Sequence, residues 1–299
     1  MKKIFALVLM CLCSVAYGQQ DSQYSLYMFN GLLVNPAYAG SKELISTTAL
    51  YRHQWAGFDG APKTMSISAH GLVNDKYGVG VYLENDNIGV RNRTNLFASY
   101  AYQFHLNNGI LSAGIQAGLM SYSADFASLD TEEFDDVFST NLNSMQPNFG
   151  LGLYYFTPTY YAGISVPHLL KSKFDNEIST QSFRNRTYLA TGGLVIPISS
   201  SIVLRPSVML KSIPSVAPLS TDITLAALFR DQVWAGVSYR VKDSLDFMLS
   251  YEFISGLRLG YSYDFPVSDI NKVSSGSHEL MMGYDFMPKS EKVITPRYF

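Results

Sequence analysis

The sequence predicts an all-β protein: a transmembrane antiparallel β-barrel of about 14 strands, preceded by a segment that either lies in the periplasm or plugs the lumen. Three observations point there. The chain opens with an export signal and then holds no uninterrupted apolar run of the 18 to 20 residues that a membrane helix needs. From about residue 44 to 287 it alternates apolar with small or polar positions, the period of a strand with two different faces. Its composition is 47% hydrophobic, 14% aromatic and only 15% charged, whereas about a quarter of an average soluble domain is charged. A chain this apolar collapses, which excludes disorder.

Lys2 and Lys3, the apolar stretch from Ile4 to Val15, and Ala16-Tyr17-Gly18 before Gln19 are the three parts of a secretory signal, assigned to residues 1–18. Removing it from the 299 residues leaves 281, enough for one large domain or two ordinary ones. Lys2 and Lys3 leave with it, so the 22 basic residues become 20 against 24 acidic ones and the net charge moves from −2 to −4. No basic surface for nucleic acid is indicated. Both cysteines, Cys11 and Cys13, fall inside the signal without a lipoprotein cleavage run before either. The exported chain therefore has no disulfide, thiolate metal site or cysteine nucleophile.

Residues 19–43 are too rich in Tyr, Asn and Pro for a helix, and Tyr24, Tyr27, Met28 and Phe29 need burial, in the lumen or against a periplasmic partner. Strands are then expected at 44–55, 63–73, 77–88, 91–105, 109–124, 145–156 and 159–166. Seven more follow at 185–198, 201–212, 218–230, 232–241, 244–254, 257–266 and 277–287, closing a barrel domain over 44–287. In the twelfth, Leu245, Phe247, Leu249, Tyr251 and Phe253 share one face and Asp246, Met248, Ser250 and Glu252 the other. Links after even-numbered strands are tight, as at Asn74-Asp75-Lys76 and Thr157-Pro158, and the long ones at 125–144, 167–184 and 267–276 follow odd-numbered strands. Short periplasmic turns and long outer loops are the outer-membrane pattern. A tail at 288–299 is left over, ending in Phe299.

Alternation alone also fits a soluble sandwich. The polar face decides for a barrel: it is mostly Gly, Ser, Ala and Gln with scattered charges, a lumen lining rather than a solubilising surface. Tyr and Phe also gather at strand ends, as in the aromatic girdles of the bilayer interface. The expected location is the outer membrane, in contact with its lipid.

Charges on the expected inner face (Arg52, Glu84, Arg205, Lys211, Arg240, Asp246, Glu252, Arg258, Asp264, Glu279 and Asp285) carry both signs. They read as a paired network bracing the lumen rather than a one-sign selectivity lining. The loop at 125–136 holds Asp125, Asp130, Glu132, Glu133, Asp135 and Asp136 around Phe126, Leu129 and Phe134. It is a candidate partner-binding surface; the alternatives are a solvated loop and a metal site, although the glycine and ligand spacing of a calcium loop are absent. The five histidines are dispersed and no Ser-centred triad, phosphate loop, zinc spacing or dinucleotide fingerprint occurs. No enzyme activity, cofactor or metal is expected.

Two motifs mark the N-terminal segment: Tyr24-Ser25-Leu26-Tyr27-Met28-Phe29-Asn30 and Asn35-Pro36-Ala37-Tyr38-Ala39-Gly40. Others follow at Arg52-His53-Gln54-Trp55, Pro147-Asn148-Phe149-Gly150-Leu151-Gly152, Gly163-Ile164-Ser165-Val166-Pro167-His168 and Pro296-Arg297-Tyr298-Phe299. In combination, over essentially the whole exported chain, they resemble the PorP/SprF family of type IX secretion membrane proteins of Bacteroidota. That resemblance implies a barrel serving secretion and gliding motility, with type IX secretion components as partners. It further implies coupling to the periplasmic secretion ring or anchoring of a secreted adhesin through its C-terminal sorting domain. The competing expectation is a passive, porin-like diffusion channel.

Overall fold

The computed structural model describes residues 22–42, 44–128, 141–173, 183–214 and 217–286. The expected signal and the tail at 288–299 lie outside them. Fourteen strands close an antiparallel barrel. The first half is β1 Ile45–His53, β2 Lys63–Val73, β3 Tyr77–Ile88, β4 Arg91–Leu106, β5 Gly109–Ala124, β6 Leu142–Phe156 and β7 Tyr160–Val166. Strand β8 runs as Tyr188–Leu194 and Ile196–Ser199. The remainder is β9 Ile202–Ile213, β10 Ala217–Phe229, β11 Val233–Arg240, β12 Ser244–Glu252, β13 Leu257–Pro266 and β14 Ser277–Phe286. Each strand pairs with its neighbours in sequence, and β1 closes on β14 from Ile45↔Phe286 to His53↔His278. Closure is what lipid demands, because an open edge there leaves backbone groups without partners.

Expected and observed strands agree closely, with two informative differences. Strand β8 is interrupted at Val195, beside Pro197, which has no N–H to give to the ladder. Strand β6 begins at Leu142, three residues before the expected start at 145. The tight turns owe their shape to left-handed residues: Asn74 and Asp75, and likewise Arg230 and Asp231, all have φ between 50° and 55°. Two successive residues of that kind make the hairpin turn whose twist matches the strands.

Register sets the height of the membrane. On β4, β5 and β6 the outward residues form five successive rows, from Phe104, Leu111 and Tyr155 up to Leu96, Leu119 and Pro147. Five rows at every second residue span nine residues of strand, the length that crosses a bilayer. Rings crowd the lower rim: Tyr102 lies 4.7 Å from Phe104, Tyr251 4.6 Å from Phe253 and Tyr284 4.6 Å from Phe286. Above the fifth row the outward side chains of β3 to β6, Met145 apart, turn polar. Asn85 donates to Asn92 at 3.1 Å and to Thr94 at 2.8 Å, with Ser121, Ser123 and Asn143 alongside. These strands therefore rise out of the lipid on the outer side.

Ile115 sits in the middle row, 55% exposed, and faces lipid. Ile115→Arg is expected to destabilise the barrel by about 2–4 kcal/mol, the cost of a cation near the bilayer midplane, read from urea titrations of folding into lipid vesicles.

Candidate functional site

Inside the barrel the inward positions are buried, and residues 22–42 occupy the space between them. The segment forms three single 3-10 turns, Tyr27–Phe29, Gly31–Leu33 and Pro36–Tyr38. It reaches the wall on every side. Starting in the outer half, the Tyr24 hydroxyl donates to Glu84 Oε2 of β3 at 2.7 Å. Midway, Ser68 Oγ of β2 donates to Asn30 Oδ1 at 2.9 Å, and Phe29 meets Trp234 of β11 edge-on at 6.0 Å. Lower down, Asn35 Nδ2 donates to the Leu153 carbonyl of β6 at 3.0 Å, and Ser165 Oγ of β7 to the Val34 carbonyl at 2.6 Å. Near the periplasmic rim, Gln103 Nε2 of β4 donates to the Gly40 carbonyl at 2.8 Å.

The wall is shaped for this segment. A Cβ on Gly114 of β5 would overlap the backbone of Ala37, and one on Gly152 of β6 would overlap Asn35 Oδ1. Glycine at these positions lets the segment come within backbone contact. Asn35 also caps the third turn, its Oδ1 accepting from Ala37 N at 2.9 Å, while Pro36 takes the first position of that turn. Tyr38 packs edge-on against His70 at 5.2 Å and Tyr154 at 5.5 Å. All eleven family-motif residues, Tyr24, Tyr27, Met28, Phe29, Asn30, Asn35, Pro36, Ala37, Tyr38, Ala39 and Gly40, are buried inside the barrel.

Buried charges tie the segment down. Arg52 of β1 lies 2.6 Å from Asp264 of β13 and 3.1 Å from Glu279 of β14, every member of the triad at most 2% exposed. Ser25 is held by all three: its N–H donates to Glu279 at 2.8 Å, its hydroxyl to Asp264 at 2.7 Å, and it accepts from Arg52 Nη1 at 3.1 Å. A second group joins Arg240 to Asp222 at 3.1 Å and to Asp246 at 3.8 Å. A third joins Asp285 to Arg258 at 3.0 Å and to Lys42 at 3.4 Å. Glu252 accepts from Trp234 Nε1 at 3.0 Å, and Arg205 lies over the rings of Tyr161 and Trp234. Seven of the eleven expected inner charges, Arg52, Arg240, Asp246, Arg258, Asp264, Glu279 and Asp285, thus form ion-paired clusters. Sequence reasoning missed Asp222, Asp86 and Arg93, whose pairing partners depend on the barrel register, and it missed Ser25, a small hydroxyl with no distinguishing neighbour.

Of the acidic loop, Asp125 and Phe126 follow β5, with Asp125 N donating to the Val90 carbonyl at 3.0 Å. Asp130, Glu132, Glu133, Phe134, Asp135 and Asp136 lie outside the described residues. Among the described residues no His, Cys, Asp and Glu cluster is arranged to hold a metal.

Comparison with known proteins matches the description "Type IX secretion system membrane protein PorP/SprF" over residues 16–284. The chain belongs to the PorP/SprF family. As a fold, this PorP/SprF protein is similar to a Pseudomonas aeruginosa FadL homologue, at 14% identity and a TM-score of 0.51 over 92% of this chain and 97% of that one. Omp33 of Acinetobacter baumannii (8% identity, TM-score 0.48, 83% and 100% covered) and the CymD monoaromatic hydrocarbon channel (13%, 0.49, 93% and 97%) are further solved barrels. No match was found among curated proteins. The protein is an outer-membrane β-barrel of the type IX secretion system, which implies association with secretion components.

Arg52→Ala would leave Asp264 and Glu279 buried without their cation, and is expected to cost about 3 kcal/mol or more, measured by denaturant unfolding in detergent. Gly152→Val is expected to force residues 22–42 off the wall, read as new protease cleavage within them. Lys42, beyond the end of β1, has its ammonium pushed down to about 8, first by burial and then by the Arg258 charge, against the pull of Asp285. Between pH 8 and the ordinary 10.5 the unfolded chain then binds the extra proton, so stability rises with pH in that window. Lys42→Met is expected to remove that part of the slope in unfolding midpoints taken at pH 7.5 to 10.5.

Proposed function

We propose that this barrel is a non-conducting docking component of the type IX and gliding machinery, and that it holds a secreted adhesin at the cell surface through the adhesin's C-terminal sorting domain. The observation that carries the reading is the occupied lumen. Residues 22–42 bond to β1 to β4, β6, β7, β9, β13 and β14, so the interior offers a braced scaffold rather than a conduit. A cavity of about 80 Å³ beside Tyr24, Tyr27, Glu84, Lys211 and Asp222 is lined by both charge signs. Among the described residues, the stretch of β3 to β6 standing above the lipid is available to a partner on the outer side. Coupling to the periplasmic ring would instead use the short turns of the opposite rim, where Ile254 is 87% exposed.

No catalytic role belongs to this reading. His70 packs on Tyr38, His168 on Phe97 at 5.1 Å, and His278 on Tyr263 at 5.2 Å, each a packing partner. The family membership and the filled interior support docking over diffusion.

Two measurements test the proposal. A tagged copy purified from native outer membranes in mild detergent is expected to bring down a large secreted protein bound through its C-terminal domain; recovery of periplasmic ring components alone would replace surface anchoring with ring coupling. In planar bilayers the intact barrel is expected to stay closed and a variant lacking residues 22–40 to conduct. Equal, open conductance in both would return the passive channel.

A further inference from the structure

The outer surface of the wall carries a groove of about 680 Å³, running from Ala113 of β5 across to Leu219 of β10. Small-molecule sites occupy roughly 300–1,000 Å³. Register places the groove within the membrane. Ala113 pairs with Leu153, Leu153 with Ile164, Ile164 with Ala190 and Ala190 with Leu210, so the second apolar row continues along it from β5 to β9. Ile115 and Leu151, which also line it, belong to the middle row of the five.

Side-chain size makes the hollow. Ala113 and Ala190 are the short members of the second row, and the larger Leu153, Ile164 and Leu210 form banks beside them. The inner face adds no bulk either. Gly114 and Gly152 line the groove, and they are the glycines against which Ala37 and Asn35 lie on the lumen side. There Asn35 Nδ2 donates to the Leu153 carbonyl at 3.0 Å and to the Ile164 carbonyl at 3.3 Å, while Ser165 Oγ turns inward to the Val34 carbonyl at 2.6 Å. At these two glycines a single layer of backbone separates the groove from the N-terminal segment.

The occupant follows from the level and the lining. The groove is continuous with the lipid-facing rows, so the medium that reaches it is lipid hydrocarbon. Its lining is apolar apart from Ser165, Ser212 and the Tyr188 hydroxyl. The chain's own segments 129–140 and 174–182 carry five and two acids, a charge that hydrocarbon does not accept. Lipid tails are as apolar as this wall, so packing rather than the hydrophobic effect decides what stays. A hollow left empty forfeits dispersion contacts along its whole lining, and a chain lying in it is touched on its floor and its flanks.

We propose that this groove is a lipid site: it seats one hydrocarbon chain of a membrane phospholipid, retained when the lipid around the rest of the barrel is washed away. The inference is independent of the docking reading above.

The test reconstitutes the full barrel into vesicles of phosphatidylethanolamine and phosphatidylglycerol, re-extracts it into mild detergent, washes it and weighs it by native mass spectrometry. Wild type is expected to retain a single phospholipid. Ala190→Phe places a ring in the hollow and is expected to retain roughly tenfold less. Ala98→Phe makes the same change in the fourth row, at β4 and outside the groove, and is expected to match wild type. A wild-type barrel washed clean of lipid would overturn the site, as would equal retention by wild type and Ala190→Phe. Equal loss in both variants would overturn it too, leaving only lipid bound all round the barrel. A second protein chain retained in place of lipid, and lost in Ala190→Phe, would give the groove to a protein partner instead. Should Ala190→Phe lose heat-modifiable migration on gels, Ala113→Leu replaces it, a smaller filling of the same hollow, with loss of the retained lipid again expected.

Discussion

The close fit between residues 35–40 and the lower wall of the barrel is the contact on which the rest of the interior depends. Gly114 and Gly152 have no side chain to hold the segment off. The segment can therefore lie against the wall and spend its polar groups on strand carbonyls, as Asn35 does on Leu153. That placement delivers Tyr24 and Ser25 to the buried charges of the outer half, which would otherwise require water. The segment is thus held in two ways: residues 35–40 by close backbone contact with a glycine-bearing wall, and Tyr24 and Ser25 by buried charges.

The same economy governs the outer end. A barrel in lipid cannot leave a strand edge open: β7 pairs with β6 over the lower three apolar rows, from Tyr155 to Leu151, and the chain after it serves the next, Leu169 N donating to the Phe149 carbonyl. Beyond Leu151 β7 gives way, and the chain that follows it takes its place beside Phe149 and Asn148. Asn148 and Gly150 mark the level of that change, one bonding the departing chain and the other clearing its path.

Strand positions were legible in the sequence because lipid imposes the alternation on every strand, and the tight turns because residue pairs such as Asn74-Asp75 accept the left-handed backbone. The early start of β6 was not, since Asn143 and Ser144 lie where the outer face has turned polar and the alternation loses its contrast. The inner charges could be placed on a face from the period alone. Their partners could not, because Arg52 finds Glu279 only through the closing register of first and last strands. Asn148 was visible as part of a motif, but its work is local geometry that no periodicity encodes.

The triad of Arg52, Asp264 and Glu279 straddles the seam where β1 meets β14, and Ser25 is fastened to all three. The last strand to be made and the first residues of the described chain are therefore parts of one clasp. A chain whose ends have met without Ser25 in place would seal its cations and carboxylates around a gap, and a chain that has threaded Ser25 without its final strand lacks Glu279, the acceptor for the Ser25 N–H. Filling the lumen and closing the seam therefore draw on the same three charged groups, so each stabilises the other.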